Sequence, residues 1–411
     1  MKLAIYNLLI LLLIPVFQLR LLFKSIKDSD YRFNFSQRFG RKLSPFTRKK
    51  EKIIWFHAVS LGEVIGSQDF IKELLKDFDV VLTTSTPTGL RKALELFKDS
   101  VAINYAPFDL NTLIKKFLDF YNPDALLIFE TEIWPSMIST SRKKNIPVFL
   151  INGRLSKNSF QAYLMTSWFI KNILLKITFV FVQSEKHQER FIKLGVNKKN
   201  IKVAGSVKFD APGLNSQPIS LPPYLLGAST HSGEEEILLN VFNTICNKYS
   251  YKLLICPRHP ERSNQILQLA TKMGFKAQLY SQLTSNNFKV CIVDSIGLLP
   301  DFYHSAKLAF VGGSLVPRGG HNIIEPAVLG TPIITGNHTF NFEDIVQDFI
   351  EKDACILVHN EHELLAGIQS ILGDAEVGQK LSINAKKIVE TNQGSTQIQL
   401  SYILDKLGAK N

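Results

Sequence analysis

Short apolar runs alternate with amphipathic stretches along most of the chain after residue 52. The runs are four to five residues long and almost free of charge, whereas the stretches between them repeat apolar residues at helical spacing. Apolar runs of this length are typical of parallel strands that are buried on both faces. The predicted strands are residues 53–56, 80–84, 125–129, 147–151, 179–182, 252–255, 290–293, 308–311 and 332–335. The alternation predicts the α/β class, with doubly wound parallel sheets.

The alternation is interrupted by a proline-rich segment at residues 211–223 (APGLNSQPISLPP). This composition is typical of a linker between domains. We therefore expect two Rossmann-like domains, residues 53–210 and 224–411, that face one another across a cleft. The helical pattern of residues 375–407 is assigned to the second domain. Ligands of such domains bind at the carboxyl ends of the strands.

The N-terminal segment has a different pattern. Residues 3–19 are uncharged and mostly apolar, whereas residues 20–52 contain eleven Lys or Arg against three acidic residues, which is +8 of the net charge of +12. An apolar run followed by basic residues is typical of a membrane anchor whose basic flank lies on the cytoplasmic side. We predict an anchor at residues 1–23 and a basic membrane-proximal segment at residues 24–52.

Other interpretations of the N-terminal segment remain open at this point. A cleaved signal peptide is disfavoured because no small-residue cleavage site follows the apolar run. A buried core helix would explain why Asn7, Pro15 and Gln18 interrupt the run. Nucleic-acid binding is not expected, since no nucleic-acid motif accompanies the basic residues. The four cysteines form no C-x-x-C pair and are predicted to be reduced core residues rather than disulfides or zinc ligands.

The most informative motif is GGSLVPRGGHNIIEPA at residues 312–327. Its four glycines follow a predicted strand, and a helical pattern begins near Asn322. Such a junction can present backbone N–H groups and a helix N-terminus to a phosphate. His321 and Glu325 would supply partners for sugar hydroxyls, so the motif points to a nucleotide-activated sugar. The alternative is a tight turn leading into a capped helix, without a ligand.

Polar residues also follow the strands of the first domain. Glu63 opens the helix after the first strand, where a carboxylate can act as a general base. A first-turn glutamate that only complements the helix dipole is the alternative. Glu130 and Glu132 follow the third strand, and we expect Glu130 in the cleft and Glu132 in a structural role. Lys208 ends the domain and is suited to stabilising a leaving phosphate.

In the second domain, too, candidate site residues directly follow predicted strands. Pro257 and Arg258 follow a predicted strand, and Arg258 is expected to clamp a phosphate. Residues 294–298 follow another strand and contain Gly297, which permits close approach of the backbone to a ligand. Because the carboxyl ends of parallel strands meet at one edge of a sheet, these loops together predict a ligand cleft.

Seven motifs in this order resemble the 3-deoxy-D-manno-octulosonic acid (Kdo) transferase family: HAVSLGE, TPTG, ETEIWP, NGRLS, GSVKFD, PRHPER and GGHNIIEP. The resemblance implies a GT-B glycosyltransferase in which Glu63 is the catalytic base and Glu130 and Lys208 assist at the transition state. The CMP-binding positions that it implies are Pro257, Arg258, Ile296, Gly297, Leu298, Asn322, Ile323, Ile324 and Glu325. Some relatives carry a polar residue in place of Leu298, but a backbone contact would survive that change.

The resemblance also implies a reaction and a location. Kdo would be transferred with inversion from CMP-Kdo to a lipid A precursor (lipid IVA), a step of lipopolysaccharide biosynthesis on the cytoplasmic side of the cell inner membrane. The implied partners are the donor, the acceptor and the anionic lipid surface. No cofactor or metal is expected, because basic residues can neutralise the leaving phosphate.

Two alternative functions would require a ligand other than CMP-Kdo. A GT-B transferase or epimerase specific for a UDP-sugar would use the HNxxEP block equally well. A non-catalytic membrane protein would bind anionic lipid through the basic segment and would not bind CMP.

Overall fold

The computed structural model describes residues 2–27, 31–210 and 216–408. They form two compact units, one made of the residues before 211 together with those from Asn392 onward, the other of residues 216–391. Each unit is built on a seven-stranded parallel sheet flanked by helices. The predicted α/β class with two Rossmann-like domains is therefore confirmed.

The strands of the first unit are β1 (Ile53–His57), β2 (Asp79–Thr84), β3 (Ala102–Tyr105), β4 (Ala125–Phe129), β5 (Val148–Gly153), β6 (Phe179–Val182) and β7 (Ile201–Val203). They follow the order β3-β2-β1-β4-β5-β6-β7. Ile54 and Phe56 pack into the core on one face of the sheet, and Ile53 and Trp55 pack into the core on the other. Burial on both faces explains why each strand is a continuous apolar run in the sequence.

The helices of the first unit are α1 (Lys2–Lys27), α2 (Leu61–Gly66), α3 (Gln68–Asp77), α4 (Pro87–Phe97), α5 (Asn111–Tyr121), α6 (Pro135–Lys143), α7 (Lys157–Met165), α8 (Ser167–Leu174) and α9 (Glu185–Lys193). A short 3-10 turn at Val207–Asp210 ends the first pass of the chain through this unit. Two helices follow β1, because Ser67 separates α2 from α3.

The strands of the second unit are β8 (Tyr224–Thr230), β9 (Lys252–Pro257), β10 (Ala277–Leu279), β11 (Val290–Ile292), β12 (Leu308–Val311), β13 (Ile333–Gly336) and β14 (Ile356–Val358). They follow the order β10-β11-β9-β8-β12-β13-β14. All nine strands predicted from the sequence are present across the two sheets. The strands β3, β7, β8, β10 and β14 lie outside the predicted ranges. All of these except β8 have only three or four residues, which gives a weak periodicity signal.

The helices of the second unit are α10 (Glu234–Ile245), α11 (Ser263–Lys272), α12 (Leu299–Ser305), α13 (Ile324–Leu329), α14 (Glu343–Glu351), α15 (Glu361–Gly373) and α16 (Ala375–Asn392). The last helix, α17 (Ser395–Leu407), belongs to the first unit. The sequence analysis placed residues 375–407 in one domain, and the structure differs at this point. The chain turns at Gly394, which has a φ of +85°, and returns to the first sheet.

Specific contacts hold α17 on the first unit. The ring of Tyr402 lies 4.2 Å from that of Phe179 on β6. The Oδ1 atom of Asp210 accepts the Gly394 N–H at 2.6 Å, so the start of α17 is fastened to the end of the 207–210 turn. These pairings lie 184 residues or more apart in the sequence, beyond the range of any local pattern.

The helix α1 is long and apolar enough to cross a membrane, and among the described residues no other helix is. It nevertheless lies along the first unit. The residues that are at least partly covered are Leu3, Tyr6, Asn7, Ile10, Ile14, Gln18, Leu21 and Ser25. Their spacing of three or four defines one stripe that runs the length of the helix. The exposed large apolar residues are Ile5, Leu8, Leu9, Leu11, Leu12, Leu13, Val16, Phe17, Leu19, Leu22, Phe23 and Ile26.

Polar contacts fix the first turns of α1 to the same unit. The Tyr6 hydroxyl donates to Asp109 at 2.8 Å. The Asn7 amide nitrogen donates to the Ser136 hydroxyl at 3.0 Å, and the Asn7 oxygen accepts the Asn111 N–H at 2.8 Å. A polar side chain in an apolar helix is stabilised when such partners are present. Asn7, which interrupts the apolar run, is therefore explained by docking on α5 and α6.

Candidate active site

Glu63 lies in the first turn of α2, directly after β1, and is 9% exposed. Its carboxylate folds back over the start of the helix, where Oε2 accepts the Val59 N–H at 2.7 Å and Oε1 accepts the Ser60 hydroxyl at 2.9 Å. Ser60 in turn accepts the Glu63 N–H at 3.4 Å. This arrangement is a variant of the capping box, with a serine at the N-cap and a glutamate three residues later. The glutamate accepts the N–H of Val59 rather than that of the N-cap serine. The same geometry holds a carboxylate in one position at the carboxyl edge of the sheet.

The protonation of Glu63 is set by burial and by neighbouring acids. Burial, and next the negative charge of Glu130, raise the pKa of Glu63 to about 8 from an ordinary value of 4.5, although the hydrogen bond from Val59 opposes the shift. A carboxylate with a raised pKa is a stronger base than an exposed glutamate. Glu63 is therefore suited to taking a proton from a hydroxyl.

Glu130 ends β4 in the left-handed backbone region, with a φ of +58°. This conformation is unfavourable for a residue with a Cβ atom and is frequent at functional sites. The Glu130 Oε1 atom lies 3.7 Å from Nζ of Lys208, and each side chain is 20% exposed. The stem of Lys208 passes Gly66 on α2, where a Cβ atom would lie 3.5 Å from its Cε atom. The structure thus brings Glu63, Glu130 and Lys208 together.

Glu132 has a different environment. Its Oε2 atom accepts the indole N–H of Trp134 at 2.8 Å, and burial raises the pKa of its carboxyl group. Trp134 also meets the ring of His57 edge-on at a centroid distance of 5.5 Å. Burial lowers the pKa of His57 to about 3, so this histidine of the HAVSLGE motif stays neutral and serves in packing.

Two residues that the sequence analysis missed position Lys208. The buried Asn152, with a φ of +52°, accepts the Val207 N–H with its side-chain oxygen at 3.2 Å. Its own N–H donates to Oε1 of the buried Gln399 on α17 at 3.0 Å. The asparagine of the NGRLS motif gave a local signal for a special turn, but its partner Gln399 lies 247 residues away.

In the second unit, part of the glycine loop is held by a carboxylate of the same unit. The carboxylate of Glu234, fully buried at the start of α10, accepts the N–H groups of Gly313, Ser314 and Leu315 at 2.7–3.0 Å. It also accepts the His231 N–H at 2.9 Å. These three loop donors are therefore taken by an internal carboxylate and are not open to a phosphate. An anion hole filled by the protein itself is the physical reason. The predicted role of the helix N-terminus near Asn322 stays a prediction.

The HNIIEP block forms the start of α13. The Asn322 amide donates to Oε1 of Glu325 at 3.1 Å, and the Asn322 oxygen accepts the Ile324 N–H at 3.0 Å. Ile323 and Ile324 are 0% and 1% exposed, so their side chains face the core and only their backbone atoms can meet a ligand. Burial raises the pKa of Glu325, whereas the Asn322 hydrogen bond and the charge of Arg258 oppose that shift.

The remaining predicted CMP-binding residues lie in loops at the carboxyl ends of β9 and β11. Pro257 is the buried last residue of β9, and Arg258 is exposed directly after it, with its N–H donating to the Thr230 carbonyl at 3.0 Å. Ile296 is 86% exposed, which is unusual for a large apolar side chain. Gly297 has a φ of +89° and no neighbour where its Cβ atom would be. Leu298 is half-buried at the N-cap of α12.

Comparison with known proteins identifies the fold and the class of enzyme. Residues 236–388 match the family model for glycosyl transferases group 1. A glycosyltransferase from Rickettsia africae has a similar structure, with a TM-score of 0.54 and 16% identity over 88% of this chain and 100% of that one. The UDP-GlcNAc 2-epimerase of Neisseria meningitidis has a TM-score of 0.57, with 14% identity over 86% of this chain and 100% of that one. The protein is a glycosyltransferase with the GT-B fold, as predicted.

The sequence comparisons narrow this class to one family. Residues 33–211 match the model described as 3-deoxy-D-manno-octulosonic-acid transferase (kdotransferase). The 3-deoxy-D-manno-octulosonic acid transferase of Haemophilus influenzae is 32% identical over 92% of both chains. That of Aquifex aeolicus is 30% identical over 86% of this chain and 92% of its own. The chain belongs to the 3-deoxy-D-manno-octulosonic acid transferase family, and the resemblance found in its motifs is confirmed.

Proposed function

We propose that this protein transfers Kdo from CMP-Kdo to a lipid A precursor, lipid IVA, in a single inverting displacement with Glu63 as general base. The observation that carries the proposal is the environment of Glu63. Its carboxylate is nearly buried, held by Val59 and Ser60, and raised in pKa to about 8 beside the Glu130–Lys208 pair. Perturbed carboxylates of this kind are characteristic of acid–base sites.

The first unit supplies the chemistry on the acceptor. Glu63 takes the proton of a glucosamine hydroxyl as that oxygen attacks the anomeric carbon of Kdo. The bond from this carbon to the CMP phosphate breaks, and its electron pair leaves with the phosphate. One displacement at one carbon inverts the configuration. Lys208, held by Glu130, offers positive charge to the departing phosphate.

The second unit supplies the donor site. Arg258 is an exposed guanidinium after β9, and its charge acts on Glu325 of the HNIIEP block. Glu325 and Asn322 form a linked pair of acceptors and donors that suits ribose hydroxyls. The open backbone around Gly297 suits close approach of the cytidine. We assign Pro257, Ile296, Leu298, Ile323 and Ile324 to backbone or packing contacts with CMP.

The reaction is tested with purified full-length protein in detergent, freshly made CMP-Kdo and tetra-acylated lipid A precursor, with products followed by mass spectrometry. We expect an addition of one or more Kdo units, inhibited by CMP and unaffected by the same concentration of UDP. Equal inhibition by UDP, or transfer from a UDP-sugar alone, would replace the donor assignment. Absence of any addition by folded protein with intact donor would overturn the proposed reaction.

We also propose that the protein binds the cytoplasmic face of the inner membrane with α1 in the plane of the lipid surface. The covered stripe runs the whole length of α1, so a spanning helix would carry its neighbouring unit into the hydrocarbon. Trp168 on α8 and Met165 on α7, 59% and 84% exposed, extend the apolar surface beyond α1. The Lys2 ammonium lies 4.8 Å from the Trp168 ring centre. Amphipathic elements with aromatic and basic residues lie at such interfaces.

Replacing Leu12, Val16 and Phe23 by Gln is expected to weaken binding to vesicles of anionic phospholipid by roughly tenfold or more, because each change removes an apolar side chain from the lipid. Flotation of the full-length protein with such vesicles measures the effect. Ile383→Gln on α16, equally exposed at 56%, is the control and should bind as the unchanged protein does.

The orientation of α1 is tested separately with Ala4→Cys. An in-plane helix keeps this thiol on the cytoplasmic side, so a membrane-impermeant maleimide should label it in permeabilised cells only. Labelling in intact spheroplasts would establish a spanning helix and reject the in-plane arrangement.

A further inference from the structure

Three histidines and three arginines of the second unit form a basic cluster beside the proposed donor site. His231 follows β8, His259 follows β9, and His321 precedes α13. The rings of His231 and His259 meet edge-on with their centres 5.7 Å apart. The arginines whose charges act on the histidines are Arg258, Arg262 and Arg318. Of these six residues, the CMP-binding positions implied by the family motifs include Arg258 alone.

His231 and His321 are in direct contact. Their Nε2 atoms lie 2.9 Å apart, and the two rings are nearly coplanar, at an interplanar angle of 9°. Gly313 makes this contact possible: a Cβ atom on it would lie 2.9 Å from the His321 ring and 3.4 Å from that of His231. Its φ of +67° also favours glycine. The glycine loop, held by Glu234, therefore supports the two histidine rings.

The distance between the two nitrogens limits what the pair can hold. A hydrogen bond between two Nε2 atoms needs one proton on one of them and a lone pair on the other. With both Nε2 atoms protonated, two N–H groups would point at each other, so the bonded pair carries a charge of zero or +1. The pair therefore titrates as a unit that accepts one further proton.

The charges around the pair oppose that proton in the absence of an anion. Arg258 and His259 act on His321, and His259, Arg318 and Arg262 act on His231. Burial, followed by these positive charges, lowers the pKa of His321 to about 4 and also lowers that of His231. Of the nearby acids, Glu234 binds the glycine loop. The negative charge of Glu235 favours the proton on His231, but Glu235 also binds Arg262 at 2.7 Å.

We propose that the His231–His321 pair is a proton-linked part of the donor site, which takes up one proton when the phosphate of a cytidine nucleotide binds beside Arg258 and Arg318. The proposal rests on the proposed function and adds residues to the same site. An anion placed among these groups offsets the positive charges that, together with burial, oppose the further proton. Binding of the anion favours the protonated pair, and by thermodynamic linkage protonation of the pair favours binding of the anion. The anion should therefore bind more tightly at lower pH.

The test uses the methyl ester of cytidine 5′-phosphate, a phosphodiester that does not itself titrate between pH 5 and 8. Full-length protein in detergent is titrated calorimetrically in buffers of different ionisation enthalpy, which counts protons taken up on binding. We expect clear uptake at pH 6 and almost none at pH 8. If the occupied pair returns to an ordinary imidazole pKa of about 6.5, affinity should be about tenfold higher at pH 5.5 than at pH 7.5.

Two variants separate a proton-linked pair from a structural contact. His321→Gln and His231→Gln are expected to abolish the proton uptake and flatten the pH dependence, whereas His362→Gln, an exposed histidine on α15 of the same unit, should change neither. Binding of the ester to the unchanged protein without uptake at pH 6 would overturn this inference and leave the donor site intact. Uptake that persists in both variants would also overturn it. No binding of the ester at all would overturn the proposed cytidine site together with the inference.

Discussion

Glu63→Gln is expected to lower the rate of Kdo transfer by about 10²–10⁴-fold, the usual contribution of a positioned general base. The amide keeps the shape of the side chain and an oxygen that can accept from Val59, but it cannot take a proton. Binding of CMP should be unchanged, because the proposed donor site lies in the second unit. Mass spectrometry of products and calorimetry of CMP binding measure the two effects.

The pH dependence gives the same test a second readout. Since the pKa of Glu63 is raised to about 8, the rate should rise about tenfold per pH unit below that value and level off above it. The group must be ionised to act, so activity is lost as pH falls. The rate of the Glu63→Gln variant should not show this rise with pH.

The stability of the same variant distinguishes a catalytic carboxylate from a helix cap. The folded pKa of Glu63 lies above its ordinary value of 4.5, so the stability linked to its protonation is present below pH 4.5 and is lost as pH rises through 8. The Glu63→Gln variant lacks this loss. Relative to the unchanged protein, it should therefore gain roughly 4 kcal/mol in unfolding free energy between pH 5 and pH 9. If the capping box were the main role, the variant would instead be destabilised at every pH.

Glu132→Gln is the matched control for these measurements. It is also a buried carboxylate whose pKa burial raises, but its hydrogen bond is to the Trp134 indole and it has no proposed role in proton transfer. We expect a change in rate of no more than a few-fold. A loss as large as that of Glu63→Gln would contradict the assignment of the base.

Glu234→Ala is expected to be the most destabilising single change in the second unit. It removes the acceptor of four backbone N–H groups, those of His231, Gly313, Ser314 and Leu315. Leaving a buried donor unpaired costs about 1–3 kcal/mol, so the unit should lose roughly 4 kcal/mol or more. Because the loop supports the histidine pair, binding of CMP should be lost as well.

Amide hydrogen exchange measures this effect unit by unit, which is needed because two units need not unfold together. Protection should fall in β12 and α13 and remain in the first sheet. Glu236→Ala, an exposed glutamate on the same helix, should change stability by no more than about 0.5 kcal/mol. Unaltered protection in the Glu234 variant would mean that water replaces the carboxylate and that the loop keeps its form without it.

The sequence determined the fold class and the list of reactive residues because both are written in short-range patterns. Continuous apolar runs require strands buried on both faces, and parallel strands bring their carboxyl ends to one edge of the sheet. The position of Glu63, Glu130 and Lys208 at strand ends was therefore enough to predict that they lie close together. Their roles remain predictions, as do those of the nine residues assigned to CMP. The family was readable for the same reason, since its motifs lie at those strand ends.

Only the tertiary structure decided how the glycine loop and the two terminal helices are used. Glu234 accepts backbone N–H groups of loop residues that lie 79 to 81 positions later in the chain. Gln399 on α17 accepts the N–H of Asn152. Neither pairing follows from a local pattern. The docked stripe of α1 and the His231–His321 contact are likewise meetings of distant segments. Periodicity records which side of an element is buried, whereas the partner of a buried polar group is selected by the folded chain as a whole.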